Sequence, residues 1–64
     1  DSTNAVAVID GVLDAEEAAI GTYRSLIDAA DSAGDPVTED LGVRILADEE
    51  AHRTEFRGFR MEYA

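Results

Sequence analysis

The tripeptide Gly34-Asp35-Pro36 constrains this chain more than any other feature. Glycine suits the left-handed position just past a helix C-terminus, aspartate the N-cap of a following helix, and proline its first turn. On both sides alanine is abundant, and the strict alternation of a half-buried strand is missing. The pattern predicts helices over about Ala5 to Ala33 and about Pro36 to Glu62, with a turn at 34–35. A connection this short enforces an antiparallel pair. The expected fold class is all-α: a two-helix hairpin in a single domain spanning residues 1–64, with no internal repeat or linker. Gly11, Gly21, Gly42 and Gly58 fall inside the helices, each costing about 1 kcal/mol relative to alanine.

A chain of 64 residues without cysteine buries a core poorly and has no disulfides to compensate. Association with further helices is the expected remedy. No apolar run approaches the roughly 18–20 residues needed to cross a bilayer, and no signal-peptide pattern opens the chain. Neither a membrane nor a secretory route is expected, which points to the cytoplasm. Fifteen acidic residues face five arginines, lysine is absent, and the formal net charge is -10. Such a surface repels phosphate and argues against nucleic acid as a partner. Arginine in place of all lysine, together with abundant aspartate, also resembles a halophilic, salt-adapted proteome.

Each helix carries an apolar seam interrupted by polar residues. The first steps through Ile9, Val12, Glu16, Ala19, Tyr23, Leu26 and Ala30, flanked by Val6, Leu13, Ile20 and Ile27. Its opposite face reads Asp10, Asp14, Glu17, Arg24, Asp28 and Asp31, so Glu17 belongs with the wet residues and Glu16 does not. The second seam is Leu41 or Gly42, then Ile45, Glu49, His52, Phe56, Phe59 and Tyr63. Glu50 falls on a flank with Arg53, Arg57 and Arg60, where ion pairing at helical spacing is available.

A carboxylate on a buried seam is costly unless something meets its charge, and no arginine lies on either seam. Counted from the turn, Glu16 lies about as far back as Glu49 and His52 lie forward. At about 1.5 Å rise per residue the three share one level of the hairpin. Two carboxylates and an imidazole at one depth form an oxygen- and nitrogen-rich ligand set suited to iron or manganese. A Glu-x-x-His spacing alone arises often by chance, and seam histidines and glutamates also serve as hydrogen-bonded or register-setting core residues. The further carboxylate of Glu16 at matching depth favours metal. Tyr23 follows Glu16 by seven residues on the same face, where its hydroxyl reaches a ligand carboxylate or simply packs. Phe56, Phe59 and Tyr63 read as core.

Glu16-x6-Tyr23 on one helix and Asp48-Glu49-Glu50-Ala51-His52 on the next resemble the ferritin-like superfamily, in its bacterioferritin and rubrerythrin branch. The stretch from Gly34 to Glu50 is similar to the turn and fourth helix of a bacterioferritin. The likeness covers roughly Val12 to Phe59, the second half of a family bundle. It implies a di-iron site in which Glu16 is a terminal ligand, Glu49 bridges the metals and His52 binds one through a ring nitrogen, with manganese or zinc as other occupants. Asp48 would orient a histidine from the other half of the site. The implied activity is a ferroxidase: oxidation of Fe(II) by oxygen or peroxide for iron storage or detoxification. A complete site needs twice this ligand set. The resemblance therefore implies half of a four-helix bundle, completed by a second copy in a homo-oligomer or by a missing N-terminal hairpin. A chain opening at Asp1 without methionine fits a fragment or processed product. Encapsulated ferritins, two-helix chains held inside a protein compartment, look like the homo-oligomeric case. Heme ligation is not readable here. The competing readings are a rubrerythrin-like peroxidase or oxidase, and a metal-free acidic helical oligomerisation module.

Overall fold

The computed structural model describes residues 2–63. Two helices make up nearly all of it: α1, Ser2–Ser32, and α2, Pro36–Glu62, packed along their length. The hairpin is a rod with principal extents of 49 × 14 × 11 Å. α1 begins at Ser2, ahead of the expected Ala5, because nothing before Ala5 breaks the helix; Thr3 and Asn4 continue it.

The turn is closed as its residues dictate. Gly34 takes φ 67°, a left-handed conformation that a side chain would strain. Asp35 N–H then donates to the Ala30 carbonyl at 2.9 Å and Gly34 N–H to that of Asp31 at 3.1 Å, satisfying two of the orphan acceptors at the end of α1. The Asp35 carboxylate accepts from the Thr38 N–H at 3.1 Å and from the Thr38 hydroxyl, while Pro36 opens α2. These bonds to Thr38 hold the Asp35 carboxyl below its ordinary range.

The helices meet along one side of each seam. Ile9, Ile20 and Ala30 are buried, and Ile27, Leu13, Leu46 and Phe56 are half-buried. Gly42 is the one buried residue of α2. A Cβ there would stand 2.9 Å from Ile27 Cγ1, so the Ile27 side chain packs directly against the Gly42 backbone. Gly21 has open space around its missing Cβ. Gly21→Ala is accordingly expected to stabilise the hairpin by up to about 1 kcal/mol. Gly42→Ala should offset that gain by crowding a β-branched neighbour, lowering stability by about 1 kcal/mol net. Thermal unfolding of the two variants checks the pair, and a common sign would refute the close-approach role.

The seam expected on each helix is only partly covered. Leu26, Phe59 and Tyr63 are expected in the core and are exposed; of Leu41 and Gly42, offered as alternatives, Gly42 is the buried one and Leu41 is exposed. On α1 Ile20 and Ile27 lie on the flank of Glu16 turned toward α2, whereas on its other flank Leu26 is exposed and Val12 and Ala19 are half-buried. On α2 the matching line holds half-buried Ile45 and exposed His52 and Phe59. One helix covers about half of an apolar stripe this wide, and the hairpin keeps the rest as an open face.

The opposite edge is laced by charge. Arg60 pairs with Asp10 at 2.9 Å, Arg53 and Arg57 with Glu17 at 3.0 and 3.1 Å, and Arg24 with Glu50 at 3.1 Å. These bridges run between helices, whereas sequence reasoning expected pairing along α2. Glu17, read as a solvated acid, is thus an anchor for two arginines. Arg53, read as a flank residue, lies half-buried against α1 with its side chain 18 % exposed.

Candidate metal centre

Glu16 projects from the middle of α1, and Glu49 and His52 from the middle of α2. The spacing of Glu49 and His52 puts both on nearly the same side of one turn. The antiparallel packing brings Glu16 level with them. One donor atom from each of the three lies within 4.8 Å of the others. His52 Nδ1 stands 4.0 Å from Glu16 Oε1.

The three differ in surroundings. The Glu16 side chain is 16 % exposed, Glu49 is half-buried, and the His52 side chain is 54 % exposed on the open face. Glu16 Oε2 is buried with no hydrogen-bond partner. A buried lone pair left unmatched is unfavourable, and it is the kind of defect that a cation would remove. A hydrogen bond with Glu49 is the largest influence on the Glu16 carboxyl and raises its pKa above the ordinary range. Burial and the Glu49 charge act in the same direction, and His52 opposes them. Without a cation, this crowding favours the protonated form of the Glu16 carboxyl.

The sign of the pH effect follows. A proton held more tightly in the folded chain favours folding at low pH. That contribution is complete below the ordinary glutamate value and disappears as pH rises through the raised Glu16 value. Chelator-treated protein should therefore lose stability across this window, and Glu16→Gln should flatten that part of the profile. Thermal midpoints between about pH 4 and about pH 8 test this; an unchanged profile in Glu16→Gln would exclude the raised Glu16 carboxyl as its source.

Two other expected site residues stand apart. Tyr23 is half-buried on the Glu16 face, and among the described residues no hydrogen bond joins its hydroxyl to Glu16, Glu49 or His52. Asp48 is exposed on the rim of the open face and makes no ion pair among the described residues. Sequence reasoning missed two features that touch the centre's surroundings. One is the unpartnered Glu16 oxygen, which has no sequence signal. The other is Arg53, whose place four residues after Glu49 could have flagged it as facing α1.

No helix among the described residues is long and apolar enough to cross a membrane. A family model described as a ferritin-like domain matches residues 1–61. No curated protein and no solved structure matches the chain.

Proposed function

We propose that this chain, which belongs to the ferritin-like domain family, binds Fe(II) through Glu16, Glu49 and His52 and acts as a ferroxidase once a second helical hairpin doubles the ligand set. The observation that carries the reading is the convergence of three donor atoms within 4.8 Å at mid-hairpin, beside a buried carboxylate oxygen that lacks a partner. Two carboxylates and an imidazole suit iron, with manganese or zinc as competing occupants. Iron bound there supplies the electrons that reduce oxygen or peroxide.

The chain's own residues have separate tasks in this reading. Glu16, on the more enclosed helix, gives a fixed anionic anchor. Glu49 supplies the second carboxylate beside it, and an arriving cation favours loss of the proton that this neighbour helps hold on Glu16. His52, exposed on the open face, presents its imidazole where the second hairpin would pack. Asp48, on the same rim, is positioned by its place in the turn before His52 to orient a ligand of the opposing half. The apolar face around them would exclude water when covered, strengthening each charge interaction inside.

Iron bound per chain and the rate of Fe(II) oxidation, measured for the native protein and for His52→Ala, test the proposal. We expect the variant to lose most bound iron and nearly all oxidation while keeping its helix content. Native-like uptake in His52→Ala would sink the metal reading and leave the metal-free oligomerisation module.

A further inference from the structure

Arg53 differs from the other arginines that join the two helices. Its side chain is 18 % exposed, against 37 % for Arg60, 59 % for Arg57 and 61 % for Arg24. Its Nη1 donates to Glu17 Oε1 at 3.0 Å, and Arg57 Nη2 donates to the same oxygen at 3.1 Å. Its Nε is buried and has no partner. Among the described residues, the only other buried side-chain nitrogen or oxygen in that condition is Glu16 Oε2. An unmatched buried N–H is unfavourable, so this guanidinium is held in place at a cost that an exposed bridge avoids.

The two unmatched atoms belong to neighbouring pairs. Glu16 and Glu17 are consecutive on α1, and His52 and Arg53 are consecutive on α2. Across the hairpin Glu16 faces His52, with Oε1 4.0 Å from Nδ1, and Glu17 faces Arg53. Two adjacent rungs therefore connect the helices. One is loose and made of two candidate ligands; the other is a carboxylate gripped by two guanidiniums. No hydrogen bond among the described residues fixes the exposed His52 ring. Its placement opposite Glu16 depends on the backbone that the firmer rung holds.

We propose that Arg53 is a positioning residue of the metal centre: through Glu17 it fixes the two backbone segments that carry Glu16 and His52, so that both reach one cation. The proposal rests on the metal reading for what is being positioned. Charge gives it a sharp sign. A guanidinium near a cation site repels the cation, so on charge alone loss of Arg53 would tighten binding and loss of Glu17 would weaken it. A clamp requires both losses to weaken it.

Zn(II), which needs no oxidant, is titrated by calorimetry into the native chain, Arg53→Ala, Glu17→Ala, their double variant and Arg60→Ala. Arg53→Ala and Glu17→Ala should each bind about 10- to 100-fold more weakly, the range for loss of a group that orients a ligand. The double variant should lose no more than the weaker single one, because the two residues act as a unit. Arg60→Ala breaks the separate bridge to Asp10 and should bind within about twofold of the native chain. Arg53→Ala binding as tightly as the native chain, or more tightly, would overturn the proposal. Equal weakening in Arg60→Ala would do the same, since any broken bridge would then suffice. The His52 ring proton signals, recorded with chelator present, give a reading free of metal. Glu17→Ala, across the hairpin from His52, should move them, and Asp10→Ala should not. Unmoved signals in Glu17→Ala would also overturn the proposal. A native chain that takes up no Zn(II) refutes the metal reading instead, and the His52 signals then decide whether the clamp holds the ring.

Discussion

Glu49→Ala is expected to lower iron affinity by more than the roughly 100-fold that loss of an outer-shell partner typically causes at a metal site. Fe(II) oxidation should be undetectable. The argument starts from position. Glu49 has the largest influence on the Glu16 carboxyl, raising its pKa by hydrogen bonding and by like charge, and it offers an oxygen within 4.8 Å of a donor atom on each of the other two residues. Its removal leaves Glu16 and His52, two groups whose nearest approach is 4.0 Å, with no carboxylate between them. In a paired site the loss is doubled, because each copy carries the substitution. Stability should move the other way. Truncating one of two crowded carboxylates removes a repulsion that only a cation or a proton relieves, so the chelated variant should be at least as stable as the native chain at neutral pH. Iron per chain, oxidation rate and thermal midpoint are read on the same preparation. A variant that is folded and binds iron as the native chain does would remove Glu49 from the site.

Ile20→Ala should have the largest effect on stability. Ile20 is 2 % exposed, the most enclosed large side chain among the described residues. Deleting its branched side chain should cost about 3 kcal/mol through lost burial and an unfilled cavity. A domain of this size has a total of roughly 3–10 kcal/mol, so the variant should be largely unfolded or nearly so near room temperature. Val8→Ala, at 66 % exposure, should change the hairpin itself by no more than about 0.5 kcal/mol. Circular dichroism melts at one fixed protein concentration compare the two, since self-association shifts the midpoint. Comparable losses would mean that the hairpin core has been misplaced.

The helices, the turn and the three converging donors were legible because each depends on local chemistry. Gly34, Asp35 and Pro36 act within one turn of backbone, and helical period alone separates Glu16 from Glu17 and Glu49 from Glu50. Which flank of the seam faces α2 was not legible. Val12, Ala19 and Leu26 are as apolar as Leu13, Ile20 and Ile27, and a stripe with two apolar flanks gives no sign of which one the neighbouring helix covers. Gly42 shows the same limit: four helical glycines look alike until the partner helix brings Ile27 against one of them. The destinations of the arginines were likewise a matter of the partner helix, since helical spacing offers Arg53 both Glu49 and Glu50 on α2 as well as Glu17 across the hairpin.

The laced edge described above also reverses its polarity along the rod. On α1 it reads acid, acid, base at Asp10, Glu17 and Arg24; on α2 the partners are Arg60, Arg53 with Arg57, and Glu50. Sliding one helix by a heptad in one direction would set Glu17 against Glu50, and in the other Arg24 against Arg57. Either slip replaces an attraction with a repulsion, although the apolar seam alone would tolerate it. The sequence of signs therefore encodes the alignment of the two helices, and with it the levelling of Glu16 with Glu49 and His52. Because these pairs are largely exposed to solvent, that encoding weakens as ionic strength rises. In concentrated salt, alignment of the donors would fall to the short turn at Gly34-Asp35-Pro36 and the fit of Ile27 against Gly42.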